Sequence, residues 1–136
     1  MAETYSAVYP QKKTMLKYGN GKIIAYLQEK LMVNYLPDNA MESQQPFDGF
    51  QYTGTEHDGG TVLDCADDKN YDDVVNALIR ASYSQSTEDS IYRHQIAISQ
   101  GLITDESEKE KYENEFASFN KCCEEAKALA KSWLGL

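Results

Sequence analysis

Residues 104–136, TDESEKEKYENEFASFNKCCEEAKALAKSWLGL, decide the class of fold. Their apolar side chains, Tyr112, Phe116, Phe119, Cys123, Ala126, Ala130 and Trp133, recur at steps of four and three, the spacing of one stripe along a helix. Thr104 is placed to cap the first turn, and Asp105, Glu106, Glu108 and Glu110 bring negative charge to the positive end of the helix dipole. Lys127 and Lys131 lie near the other end, and Gly135 suits the residue just past the stop. At about 1.5 Å per residue, about thirty residues make a rod of roughly 45 Å, which needs a partner along most of its stripe. Tyr112, Phe116, Phe119, Cys123 and Trp133 are therefore the expected helix-packing residues. Aromatics interleaved with Ala and Cys suit unlike helices of the same chain better than a zipper between identical chains, with a self-associating seam as the alternative.

Working back from this helix, the composition is helical from Ala66 onward. Val74, Val75, Leu78 and Ile79 form the apolar face of a segment from about Tyr71 to Ser82, with Asp67 or Asp68 as its cap. Ser84-Gln85-Ser86-Thr87-Glu88 reads as a turn into a second helix capped by Ser86, carrying Ile91 and Ile98 on one flank and stopping near Gly101. Short connections favour antiparallel neighbours, so a three-helix antiparallel arrangement over 67–136 is predicted, ending in the long helix.

The first half is punctuated by turns. Gly19-Asn20-Gly21 favours a tight turn, after which Ile23, Ile24, Leu27, Leu31 and Tyr35 fall on one face at helical spacing. The spacing predicts a helix over 22–35, in competition with a hairpin pairing 13–18 with 22–27. Pro37 ends either one, and 38–46 is a polar loop. Phe50, Tyr52 and Thr53 precede Glu56-His57-Asp58-Gly59-Gly60, and Thr61, Val62, Leu63 and Cys65 follow it, a β-hairpin signal. Residues 1–12 form an arm in which Tyr5, Ala7 and Tyr9 alternate with polar residues before Pro10, either an edge strand or a flexible tail. The expected fold class is thus α+β in a single domain: an arm (1–12), a small α/β part with a hairpin and one helix (13–66), and a helical part (67–136).

Chemistry-bearing motifs are weak. The glycines at 59 and 60 do not make a phosphate-cradling motif, since neither the spacing nor a following lysine is right. His57 beside Asp58 lacks the further groups of an acid–base site, and His94 sits where packing residues sit. Cys122 and Cys123 are adjacent on a helix and point apart, so with Cys65 they do not form a disulfide framework. With only two histidines, no metal site is expected, nor any cofactor or catalytic residue; the chain reads as a non-enzyme.

A hydrophobic content of 41% with 26% charged residues suits a soluble domain, and no apolar run approaches the roughly 20 residues of a membrane span. Met-Ala-Glu-Thr-Tyr-Ser lacks the pattern of a secretory signal, so a reducing cytoplasm is the expected compartment. The net charge of -9 argues against direct nucleic-acid binding. It admits a chain that imitates DNA and occupies a basic host enzyme, with Glu108, Glu110, Glu113 and Glu115 as the acidic face. The acids are nevertheless spread, 10 in residues 1–68 and 12 in residues 69–136, as on a solvated surface. Ten tyrosines supply amphipathic contact area. Tyr71, Tyr83 and Tyr112 suit the helical core, and Tyr5, Tyr9, Phe50 and Tyr52, on the arm and hairpin, are the candidate partner-binding residues.

The run Asn76-Ala77-Leu78-Ile79-Arg80-Ala81-Ser82-Tyr83-Ser84, with Glu88, Ile91 and Arg93 beyond it, resembles a segment of small proteins of tailed phages and prophages from gut bacteria. Gly49-Phe50-Gln51-Tyr52-Thr53-Gly54, Asp58-Gly59-Gly60-Thr61 and the stretch from Ala126-Lys127 to Trp133 are similar to the middle and end of the same proteins, so the resemblance spans roughly residues 46–134. Those proteins include tail-fibre-associated and tail-assembly proteins. The resemblance implies a structural or assembly protein, located in the virion or in the host cytoplasm during assembly. Its partners would be other phage structural proteins or further copies of itself, with no direct nucleic acid and no membrane. The first 45 residues lie outside the resemblance and are where partner choice would reside. The acidic inhibitor is the alternative from another class.

Overall fold

The computed structural model describes residues 3–38 and 40–136. The chain is mixed α+β, with six strands in two antiparallel sheets and three helices, the last of them long, among the described residues. It divides into two compact units, residues 1–66 and 67–136. The expected arm (1–12) and polar loop (38–46) include residues 1, 2 and 39, which lie outside the described residues.

The first unit contains all the strands. β1 (Tyr5–Tyr9), β4 (Lys30–Tyr35) and β5 (Phe47–Gly54) form one sheet in the order β1-β5-β4. β2 (Met15–Gly19), β3 (Lys22–Ala25) and β6 (Thr61–Asp64) form the other, in the order β2-β3-β6. The alternating arm is therefore an edge strand. It pairs Tyr5 with Gly54 through to Tyr9 with Phe50, and the Ser6 and Thr53 hydroxyls meet across the ladder at 2.8 Å.

The helix expected over 22–35 is not formed; two strands occupy it, and the competing hairpin is present. Asn20 and Gly21 adopt φ of 54° and 71°, the positive pair that a two-residue hairpin turn demands, and Met15–Lys17 pair with Ile23–Ala25. Gln28 at φ 55° then takes the chain out of the right-handed region where a helix would have needed it most. The helical spacing of Ile23, Ile24, Leu27 and Leu31 is coincidental. Ile23 and Ala25 alternate as buried residues of a central strand, whereas Leu31 lies on an exposed edge.

The expected hairpin of residues 50–53 with 61–65 also needs correction. The turn exists, closed by the Glu56 amide on the Gly60 carbonyl at 2.9 Å and the Gly59 amide on the Glu56 carbonyl at 3.0 Å. Its arms part into different sheets, because both sides of β5 are taken by β1 and β4, while β6 pairs with β3. Gly54 and Gly60 permit the divergence: a Cβ on Gly54 would collide with the Gly60 backbone. Buried Tyr26, Tyr52, Ile23, Leu63 and Cys65 form the core of this unit.

The second unit holds α1 (Tyr71–Arg80), α2 (Gln85–Ser99) and α3 (Glu106–Leu134). The caps differ from expectation by one to three positions: Asn70, not Asp67 or Asp68, accepts from the Asp73 amide, Ser84, not Ser86, from that of Thr87, and Asp105, not Thr104, from that of Glu108. Each winning side chain stands three residues before the amide it accepts from, the reach of a capping oxygen. Gly135 ends α3 at φ 72°. Val74, Ala77 and Leu78 of α1, Ile91 of α2, and Phe119, Ala126 and Ala130 of α3 are the buried faces. Aromatic edges join the helices: Tyr83 and Tyr92 meet Phe119 with ring centroids 5.1 and 5.7 Å apart. Arg80, at the end of α1, donates to the Tyr83 carbonyl, Gln85 and Glu88, fixing the turn into α2.

Candidate interaction surface

The densest polar cluster of the first unit is built on three tyrosines. Tyr26 donates to Asp58 Oδ2 at 2.8 Å, Tyr9 to the Asp58 carbonyl at 2.5 Å, and Tyr52 to Glu29 Oε1 at 2.7 Å while accepting from the Lys13 amide at 2.8 Å. The Lys13 ammonium rides over the Tyr9 and Tyr26 rings, 4.3 and 5.1 Å from their centroids. Burial first, and then the hydrogen bond to Asp58, pushes Tyr26 up to about 12; burial and the Glu29 hydrogen bond do the same to Tyr52, again to about 12. The Gly60 amide on its carboxylate, aided by Tyr26, holds Asp58 below the usual carboxylate range despite its partial burial. These groups are matched to one another: phenols that stay protonated and a carboxylate that stays charged. Such a lattice ties the 56–60 turn to Tyr9 of β1 and to Tyr26 just beyond β3.

This geometry relocates the sequence-chosen residues. Tyr52 is fully buried and is corrected from a partner-binding residue to a core residue. Tyr9 is half-buried and committed to Asp58. Tyr5 is half-buried, its ring 4.1 Å from that of His57, and Phe50 lies half-buried below the Lys12 ammonium. These four are thus brought to one region of β1 and β5, with Tyr52 buried and the other three half-buried. In the helical unit Phe119 is buried, whereas Tyr112, Phe116, Cys123 and Trp133 are half-buried. His94 stacks on Tyr112 at 3.8 Å and pairs with Glu115 at 3.0 Å, the role of a packing residue. Among the described residues no group of His, Cys, Asp and Glu is arranged to hold a metal, and no helix is long and apolar enough to cross a membrane.

Exposed apolar side chains lie elsewhere: Tyr92, Ile96, Leu102 and Leu136 in the helical unit, and, in the first unit, a set on and just beyond the edge strands. On β4, Leu31 is 58% and Val33 63% exposed, with Leu36 and Met41 also exposed just beyond. On β2, Leu16 is 54% and Tyr18 58% exposed. Among the described residues, both strands have a partner on one side only. An edge of unpaired backbone groups with apolar side chains beside it is what an incoming strand recognises. Sequence reasoning missed these residues because it counted Leu31 toward a helix face. The usable signal was Leu31-Met32-Val33-Asn34-Tyr35, a short run with β-prone Val33 and Tyr35 that Pro37 brings to a stop.

No protein-family model matches the chain, and no significant match to it was found among curated proteins or solved structures.

Proposed function

We propose that this protein is a structural or assembly component of a tailed bacteriophage that acts through protein–protein contacts and performs no chemistry of its own. The observation that carries the reading is the exposure of Leu31 and Val33 on the free edge of β4, with Leu36 and Met41 also exposed further along the chain. Surfaces of this kind are costly to leave in water and serve as contact sites. The phage context comes from the resemblance of residues 46–134, and the β4 edge lies in the stretch outside it, where partner choice would reside. The short connections of residues 67–136 suit antiparallel packing of the three helices.

The test is a Leu31→Asp, Val33→Asp double variant in a producing culture. Both side chains face solvent, so the fold should keep its stability within about 0.5 kcal/mol. Loss of the protein from assembled particles, with normal folding of the isolated chain, is the expected result. Undiminished incorporation would remove β4 as the contact.

A further inference from the structure

The sheet β2-β3-β6 has two free edges of opposite character, and we propose that a second copy of this chain joins them, β2 of one molecule against β6 of the next. This rests on reading the protein as one that works through protein contacts, and it adds the occupant.

The backbone groups available at each edge follow from the ladder. The Tyr26 amide donates to the Thr14 carbonyl at 2.9 Å, so Thr14 and Tyr26 face each other as a hydrogen-bonded pair. In an antiparallel ladder such pairs alternate, so Leu16 faces Ile24 in the same way, and Met15 and Lys17 point their N–H and C=O groups away from β3. On the other side, the Cys65 amide donates to the Gly21 carbonyl at 2.8 Å, and the same alternation leaves Val62 and Asp64 pointing outward from β6. Among the described residues no other strand pairs with either edge.

Charge selects the match. Residues 4–28 contain Lys12, Lys13, Lys17 and Lys22 and no acid. Lys12 is paired with Glu29, Lys22 with Asp64, and Lys13 lies over tyrosine rings, whereas Lys17 has no ion pair among the described residues. Near β6 the sign reverses, with Asp64, Asp67 and Asp68 preceding Lys69. Asp64 accepts Lys22 through Oδ1 only, and its side chain is 88% exposed. An antiparallel register that sets Lys17 opposite Asp64 brings two outward-facing residues into one hydrogen-bonded pair, with unlike charges on the same face. β2 against β2 would instead gather like charges. The contact uses unlike edges, so it is head-to-tail and repeats from copy to copy as a ring or filament.

The experiment is sedimentation velocity on the full chain over a range of concentrations, at low and high salt, with Lys17→Glu, Asp64→Lys and their equimolar mixture. The wild type should associate with rising concentration and less so in high salt. Each single variant should weaken association by about tenfold or more, and the mixture should regain it, since the acidic β2 edge of one protein then meets the basic β6 edge of the other. Circular dichroism confirms that each variant is folded, and Asp64→Asn, which removes charge without adding bulk, should weaken association to a lesser degree. A wild type that stays monomeric throughout, variants that associate like the wild type, or a mixture no better than its components would each overturn the inference. Because this readout needs no particle, it can fail while particle incorporation succeeds, and the reverse.

Discussion

The phenol of Tyr26 and the carboxylate of Asp58 are joined by a 2.8 Å hydrogen bond that ties the end of β3 to the turn before β6. Tyr26→Phe removes the donor and leaves a half-buried carboxylate oxygen short of a partner. The expected cost is about 1–3 kcal/mol in urea unfolding. A variant as stable as the wild type would mean that water replaces the phenol without loss.

The same cluster sets the pH range of stability. Tyr26 and Tyr52 are both raised in the folded chain from 10.0 to about 12. Their contribution is complete below pH 10 and is lost as pH rises toward 12, because the unfolded phenols ionise first. Asp58 has the opposite sign: its lowered value contributes stability above the ordinary carboxylate range, and this is lost on acidification through the folded value. Thermal melts across pH should fall at both ends, and Tyr52→Phe should flatten the alkaline fall.

Gly54→Ala should be among the most damaging small substitutions. The new Cβ would meet the carbonyl of Gly60 and the Thr61 hydroxyl, and backbone at a strand junction has little room to retreat. A loss of more than about 2 kcal/mol is expected, read from the unfolding midpoint. By contrast Gly101→Ala meets open space, and its cost is confined to the positive φ of 71°.

Arg80 bridges the α1–α2 turn through Gln85 at 2.7 Å, Glu88 at 3.1 Å and the Tyr83 carbonyl at 3.1 Å. Arg80→Lys keeps the charge but loses the fork, so it should recover only part of the roughly 1–3 kcal/mol lost in Arg80→Ala. An Arg80→Lys variant as stable as the wild type would show that the fork geometry is immaterial.

Legibility in the sequence followed the locality of the signal. The three helices were readable because apolar stripes such as Phe116, Phe119, Cys123, Ala126 and Ala130 are set within a few turns of one element, although the N-caps lie one to three positions from those expected. The strands were harder, since pairing is decided by residues far apart: β5 is shared by β1 and β4, and β6 pairs with β3 across some forty residues of chain. Residues 22–35 misled because two short strands and a left-handed Gln28 happened to space their apolar residues as a helix would. Tyr52 misled for a related reason. A tyrosine on a strand reads as surface until Glu29 and the Lys13 amide, both remote in sequence, are seen to satisfy its hydroxyl in the interior.

The most direct test of the central claim is quantitative peptide mass spectrometry on purified phage particles and on the lysate of the producing culture. As a particle component, the protein should yield its peptides at a fixed ratio to the major capsid protein; as an assembly factor, it should co-purify with incomplete particles and leave the finished ones. Abundant peptides in the lysate, with none in finished or incomplete particles, would contradict the account.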